Sequence, residues 1–424
     1  MACEDKESFV KRRRVVITGV SAITPLGRDV QTSWKALLEG KSGIGKITLF
    51  DASDFPVHIA GEVPDFHPQD YIQGKQCQRM DRFTQFAVCA AKQLMADAQT
   101  EVREEEAGKV GVIMGIGIGG MNTIEQTHTR LTTAGPGRVS PFSIPMYISN
   151  MAPGQIAIAF GAKGLNVVAT SACTSSLHAI GWAYDQIVLG RSEMIITGGS
   201  EAAVTPMSVA GFASMKALCA DHQDDPEHAS RPFDATRAGF VLGEGAGLLL
   251  LESLERAKQR GAKIYAEVLG WGASDDAHHM VAPLESGAGM AACMRNALAD
   301  AGIRPESVQH VSAHGTSTHA NDAAETKALH EVFGAHAGNI AITAVKSQIG
   351  HLLGASGGVA AVFEALALQT GMVPGTLNLN EPDPECDLNY LSGGAQKLDP
   401  AFAMVNSYGF GGTNGSLVLA KYRD

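Results

Sequence analysis

Short apolar runs rich in β-branched residues alternate along this chain with longer stretches whose apolar positions recur every three or four residues. The short runs predict strands: VVITGV (15–20), VGVIMG (110–115), VVATSA (167–172), MIITGGSEA (194–202), GAGLLLLESL (245–254), YAEVLGWGAS (265–274) and VQHVSAHGT (308–316). The periodic stretches predict helices over 82–98, 289–302, 326–334 and 354–371. Another helix follows the strand at 167–172: Leu177, Ile180, Tyr184, Ile187 and Val188 share one face, and Gly190 supplies a stop. From the end of the 110–115 strand to about residue 152 no period stands out, and the segment reads as loop-rich. Residues 402–422 read as a hairpin-like pair. Strands and helices in alternation imply an α/β architecture with sheets covered on both faces.

A chain of 424 residues exceeds one ordinary core, so several domains or two closely packed halves are expected. The best division lies near 255–263, where a charged helix hands over to a new strand, giving halves 1–258 and 259–424. Each half carries a strand and turn with a reactive residue followed by a helix, which suggests duplication. Net charge is −11, which removes the overall basic field that general nucleic-acid binding needs. The seven cysteines form no CxxC and no Cys/His ligand spacing, a pattern of a reducing cytoplasm rather than a disulfide framework. No run of about 18 apolar residues stands out, so no membrane insertion is expected. The basic run Lys11-Arg12-Arg13-Arg14 reads as a solvated lead-in to the first strand, too poorly followed by apolar residues for a signal peptide.

Three patterns imitate cofactor sites. Gly115, Gly117 and Gly120 fit GxGxxG after a strand, but no acidic residue stands about 20 positions on, so a close backbone approach to a ligand or another strand is the better reading. Gly40-Lys41-Ser42 lacks the upstream glycine of a phosphate-binding loop. His278-His279 has no third ligand at a metal-binding spacing and reads as surface or pocket lining. Cys173 is different, because it sits where a strand turns into a helix N-terminus. Backbone N–H groups and the helix dipole there favour a thiolate, and so a nucleophile. His314 and His351 each stand among small residues and glycines that admit a substrate, and Thr316 and Thr318 offer hydroxyls.

TSACTSS, SAHGTST, VKSQIGHLLGASG and NSYGFGGTN occur in this order and together resemble the β-ketoacyl-acyl carrier protein synthases of the thiolase superfamily, over about residues 13–421. The chain looks most like the elongating type II (FabF-like) enzymes, with type I a close second. The resemblance implies a five-layered αβαβα sandwich of two similar halves, usually a homodimer. It implies Cys173 as the acyl-accepting nucleophile and the N–H groups of Cys173 and Phe410 as an oxyanion hole. His314 and His351 would promote decarboxylation of the malonyl thioester, with Lys346 and Glu325 in support. Phe410, between Gly409 and Gly411, would gate the acyl site, Ile118 and Phe212 would line the acyl tunnel, and Thr316 and Thr318 would hold the phosphopantetheine arm. Acyl carrier protein is the implied partner, bringing acyl and malonyl thioesters and its own phosphopantetheine, so no further cofactor or metal is expected.

By position, Arg79, Arg138 and Lys216 are the docking candidates for the acidic carrier. Gln78 and Gly137 stand where relatives often carry further basic residues, and Val281 where many carry Thr. A degradative thiolase would use a second cysteine near the C-terminus, whereas the last one here is Cys386 in an acidic, proline-rich segment. A type III initiating synthase would replace one histidine by Asn, and a chain-length factor would lack the nucleophile. A ketosynthase of a polyketide or specialised-lipid pathway shares the motifs and is the alternative.

Overall fold

A computed structural model describes residues 12–424. Lys11 and Cys3 lie outside the described residues. Ten strands form one hydrogen-bonded sheet: β1 (Val15–Ile23), β2 (Val110–Gly115), β3 (Asn166–Ala169), β4 (Met194–Glu201), β5 (Gly245–Ser253), β6 (Ala266–Asp275), β7 (His310–Ser312), β8 (Ala341–Thr343), β9 (Phe402–Gly409) and β10 (Thr413–Ala420). Their spatial order is β8-β7-β9-β10-β6-β1-β5-β4-β2-β3. Read outward from the centre, each half runs first strand, fifth, fourth, second, third. The directions repeat too: β5 is antiparallel to β1 and β4, while β2 is parallel to β4 and β3. In the second half β10 is antiparallel to β6 and β9, while β7 is parallel to β9 and β8. The halves join through β1 and β6 at only Val15–Ile17 against Ala266–Val268.

Helices complete the layers. α1 (Arg82–Asp97) and α3 (Met151–Phe160) pack on the outer face of the first half, and α5 (Ala288–Ala301) on that of the second with α6 (His319–Phe333) against it. Between them, α4 (Ser175–Val188) and α7 (Ser356–Thr370) touch strands of both halves. The result is the expected five-layered αβαβα, thiolase-like sandwich. α7 is buried from Ser356 to Leu368, which is why its apolar residues show no single face. The stretch Leu353–Thr370 does reach the length and hydropathy of a membrane span, contrary to expectation, but 89% of it is buried inside the protein. Gly181 of α4 lets the halves close, since a methyl there would overlap the Trp271 ring of β6.

Four expectations need correction. The loop-rich segment contains α2 (Met121–Ala134) and the start of α3. Only Thr123 of α2 is buried, so the helix has no apolar stripe to betray it. α6 begins at His319, seven residues before the expected start, because its first turns bury Asn321, Asp322 and Glu325 beside Ala323 and Ala324, which hides the apolar period. Helices at Val30–Leu38 and Pro206–Ser214 went unpredicted. Finally, the basic lead-in is not simply solvated: Arg12, Arg13 and Arg14 pair with Asp300, Glu193 and Glu267.

Candidate active site

The loop between β3 and α4 is tightly determined. Ala172 takes φ +50, a conformation costly for a residue with a Cβ. The Ser175 hydroxyl holds it there, donating to Ala172 O at 2.6 Å and accepting from Ser171 N–H at 2.9 Å. Cys173 sits in the short turn Ala172–Thr174 that leads into α4, only 7% exposed. Its carbonyl accepts from the Ser407 hydroxyl at 2.8 Å, which ties the nucleophile's loop to β9 of the other half.

The second half brings three loops to the same point. After β7, the N–H groups of His314 and Gly315 donate to the two oxygens of Glu325, at 2.8 and 2.9 Å. Lys346, just beyond β8, donates from Nζ to His314 O at 2.6 Å and lies 3.4 Å from His314 Nδ1. His351 places Nε2 3.0 Å from Cys173 Sγ, with Nδ1 2.8 Å from the Ser356 hydroxyl at the start of α7. The two imidazoles stand nearly perpendicular, at 84°, with centroids 5.3 Å apart. At the β9–β10 turn, the Phe410 N–H and Cys173's own N–H both point at the sulfur.

One cavity of about 400 Å³ collects these groups: Cys173, His314, His351, Thr316, Thr318, Ile118, Phe212, Gly409 and Phe410 line it. Lys346 and Glu325 lie behind the histidines rather than on the wall. The Thr316 and Thr318 hydroxyls are 2.9 Å apart. Phe410 packs against Phe212, and Gly411 N–H donates to Met280 O at 2.9 Å, which ties the glycine turn to the loop after β6. Lys216 lines the same cavity. Arg79 and Arg138 are exposed away from the cavity wall, where Arg79 lies 4.4 Å over the Phe142 ring. His278 and His279 are exposed.

Burial governs the charges. It pushes both histidines well below 6.5, helped by the Lys346 cation, so neutral imidazoles face the cavity at neutral pH. Burial lowers Lys346 to about 8 against the opposing pull of Glu325, and raises Glu325 to about 7 against its two N–H donors. The expected thiolate at rest is corrected here. Burial pushes the Cys173 thiol up to about 12, and Lys346 together with the Phe410 and Cys173 N–H groups only partly opposes this. The helix mouth does not outweigh desolvation, and the resting pair is a neutral thiol beside a neutral imidazole.

The sequence reading missed several supporting residues. Glu201 accepts from the N–H groups of Gly117, Ile118 and Gly119, so the glycine-rich decoy is a nest around a carboxylate. Gly115 lies against Ser175 and Ser176 at the start of α4, the close approach expected of that motif, though to a helix rather than a strand. Asp322 accepts from Thr316 N–H at 3.0 Å, and the fully buried Arg237 donates to Thr318 O and His319 O. The available signal was a lone charged residue ending an apolar run, as Glu201 ends β4.

Family models agree with this geometry: "Beta-ketoacyl synthase, N-terminal domain" matches residues 12–257, and "Beta-ketoacyl synthase, C-terminal domain" matches residues 265–380. The chain is 49% identical to 3-oxoacyl-[acyl-carrier-protein] synthase 2 of Synechocystis sp., over 98% of this chain and 99% of that relative. It is 47% identical to the Staphylococcus aureus protein of the same name, over 97% and 99%. Among solved structures, a beta-ketoacyl synthase from Burkholderia phymatum superposes with a TM-score of 0.90 at 34% identity, covering 97% of this chain and all of the other. A type II polyketide ketosynthase in complex with its acyl-carrier protein does so equally well at 32% identity, with the same coverage. Two family models that together span most of the chain, and relatives up to 49% identical over nearly its whole length, show that the chain belongs to the beta-ketoacyl synthase family.

Proposed function

We propose that this chain is a 3-oxoacyl-[acyl-carrier-protein] synthase that lengthens acyl chains by decarboxylative Claisen condensation. One observation carries the reading: Cys173 Sγ lies 3.0 Å from His351 Nε2 and opens with His314 onto one cavity. The acyl group arrives as a thioester on the phosphopantetheine arm of the carrier. Cys173 Sγ attacks its carbonyl carbon while the thiol proton passes to His351. The oxyanion sits between the N–H groups of Cys173 and Phe410, then collapses, and the pantetheine sulfur leaves with the proton from His351. The high thiol pKa suits this concerted transfer, since no thiolate needs to persist in the dry site.

Malonyl carrier protein then occupies the same arm site along Thr316 and Thr318. Its carbon–carboxylate bond breaks, carbon dioxide leaves, and the electron pair becomes a thioester enolate. Neutral His314 and His351 donate N–H to the enolate oxygen. His314 can do so from Nε2 because its Nδ1 faces the Lys346 ammonium. The Ser356 hydroxyl both donates and accepts, so it holds His351 in either tautomer. The enolate carbon attacks the acyl-Cys173 carbonyl, the second oxyanion uses the same two N–H groups, and the thiolate departs and takes up a solvent proton relayed through His351. The product is a 3-oxoacyl carrier protein two carbons longer. With one solvent proton taken up in the second half-reaction, every step balances, so we assign no metal or redox cofactor.

Arg79, Arg138 and Lys216 are proposed to receive the acidic carrier against the overall negative charge. We also infer a homodimer and a cytoplasmic setting. β3 is an edge strand at the end of the sheet, flanked by Leu165, which is 45% exposed, and by Ile158 of α3, which is 72% exposed; a second copy would cover both. The six described cysteines are all free, consistent with a reducing compartment. The halves are taken to meet at 258/259. Likeness to polyketide ketosynthases supports a second reading, elongation of a poly-3-oxo chain, but the higher identities favour fatty acyl elongation. Condensation assays across saturated and 3-oxo acyl carriers test this: rapid turnover of saturated donors is expected, and turnover of 3-oxo donors alone would overturn it.

A further inference from the structure

We propose that Glu201 is the positioning residue of the acyl-binding wall, an inference that rests on the acyl-transfer reading above. Glu201 is the last residue of β4, and its side chain has no solvent exposure. One carboxylate oxygen accepts from Gly117 N–H at 2.8 Å and Gly354 N–H at 3.1 Å. The other accepts from Gly119 N–H at 3.1 Å, and the Ile118 N–H bridges both at 3.2 Å. Amides from two separate turns therefore converge on one side chain.

Those turns shape the cavity beside Cys173. The first follows β2 and carries Ile118; the second follows His351 and carries Leu353; both side chains line the wall. The clamp has no slack, since a methyl on Gly354 would overlap Gly117 N. Glu201 touches none of the reacting atoms, and no step of the condensation needs it. What it sets is the spacing of Ile118 and Leu353, and with it the width of the channel for the acyl chain. Glutamine keeps the size but offers one accepting oxygen and two N–H donors, so some of the amides lose their partner. The histidines, held by Glu325, Lys346 and Ser356, keep their own supports.

The test compares wild type with Glu201→Gln as full chains, using acyl carrier donors of increasing length and malonyl carrier protein. Expected is a rise in KM for the preferred donor of about tenfold, with a flatter length profile. Malonyl decarboxylation without an acyl donor should stay unchanged. Leu353→Ala should flatten the profile in the same way and add nothing on top of Glu201→Gln. An equal loss across all lengths and in decarboxylation, or additive effects of the two changes, overturns the assignment. If Glu201→Gln does not fold, hydrogen exchange of the wild type decides. The amides of Gly117, Ile118, Gly119 and Gly354 should open as one slow unit, and independent fast exchange overturns the proposal. A wild type that folds but transfers no acyl group overturns this inference together with its parent reading.

Discussion

After its second strand, the first half makes the Gly117–Gly119 turn, which lines the cavity; after the matching strand, the second half makes the His314–Thr316 turn, which supplies an imidazole to it. After the third strand come Cys173 in one half and Lys346 and His351 in the other. The helices that follow, α4 and α7, start side by side, so nucleophile and imidazole meet at 3.0 Å. In both halves a buried carboxylate collects the amides of the second-strand turn, Glu201 in one and Glu325 in the other, and burial raises each to about 7. The backbone device is repeated while the side chains it aims differ. In the proposed mechanism one half binds and holds the chain, and the other handles the proton and the enolate.

The sharpest way to break this division is Cys173→Ala. Condensation should fall by about 10⁴-fold or more, and the protein should no longer gain the mass of an acyl group. Next, His314→Ala should slow malonyl decarboxylation by about 10²–10³-fold yet leave acylation of Cys173 nearly intact in a single-turnover assay. Comparable losses in both steps would erase the distinction between the halves. His351→Ala should slow both, because His351 borders the sulfur and the enolate.

Lys346→Ala sharpens the electrostatics. The ammonium helps hold both histidines below their usual range, so its removal raises their pKa. The acid limb of the decarboxylation rate should then move to higher pH, with about a tenfold loss at neutral pH. An unmoved limb would contradict the account of neutral imidazoles. The smallest effect concerns the seam between halves. Gly181→Ala forces α4 against Trp271 and should destabilise the fold by about 1–3 kcal/mol, read by thermal melting, with the pH profile unchanged.

Much of the site was legible because its residues sit in short, ordered motifs. TSACTSS, SAHGTST, VKSQIGH and NSYGFGG each mark one loop, and all four loops reach one cavity. Strands such as 110–115 and 245–254 stood out because burial on both faces leaves unbroken apolar runs. α2 did not, since among the described residues Thr123 alone of this helix is buried and no apolar stripe marks its inner side. The resting state of Cys173 was misread for a physical reason: the local pattern shows the helix mouth, but the desolvation that wins comes from residues distant in sequence, such as Phe240 and Leu353. Arg237 and Glu201 were missed likewise, because their partners (backbone groups, and for Arg237 also Asp322 and Asp383) are brought together only by folding.

The most direct test of the central claim follows the acyl group itself. The protein is mixed with an acyl carrier donor, digested and weighed by mass spectrometry, and malonyl carrier protein is then added while carbon dioxide and product are counted. The account expects the acyl group on Cys173 alone, then its loss with one carbon dioxide and one 3-oxoacyl carrier released per site. An acyl group on any other residue, or carbon dioxide released without loss of the Cys173 acyl group, would contradict it.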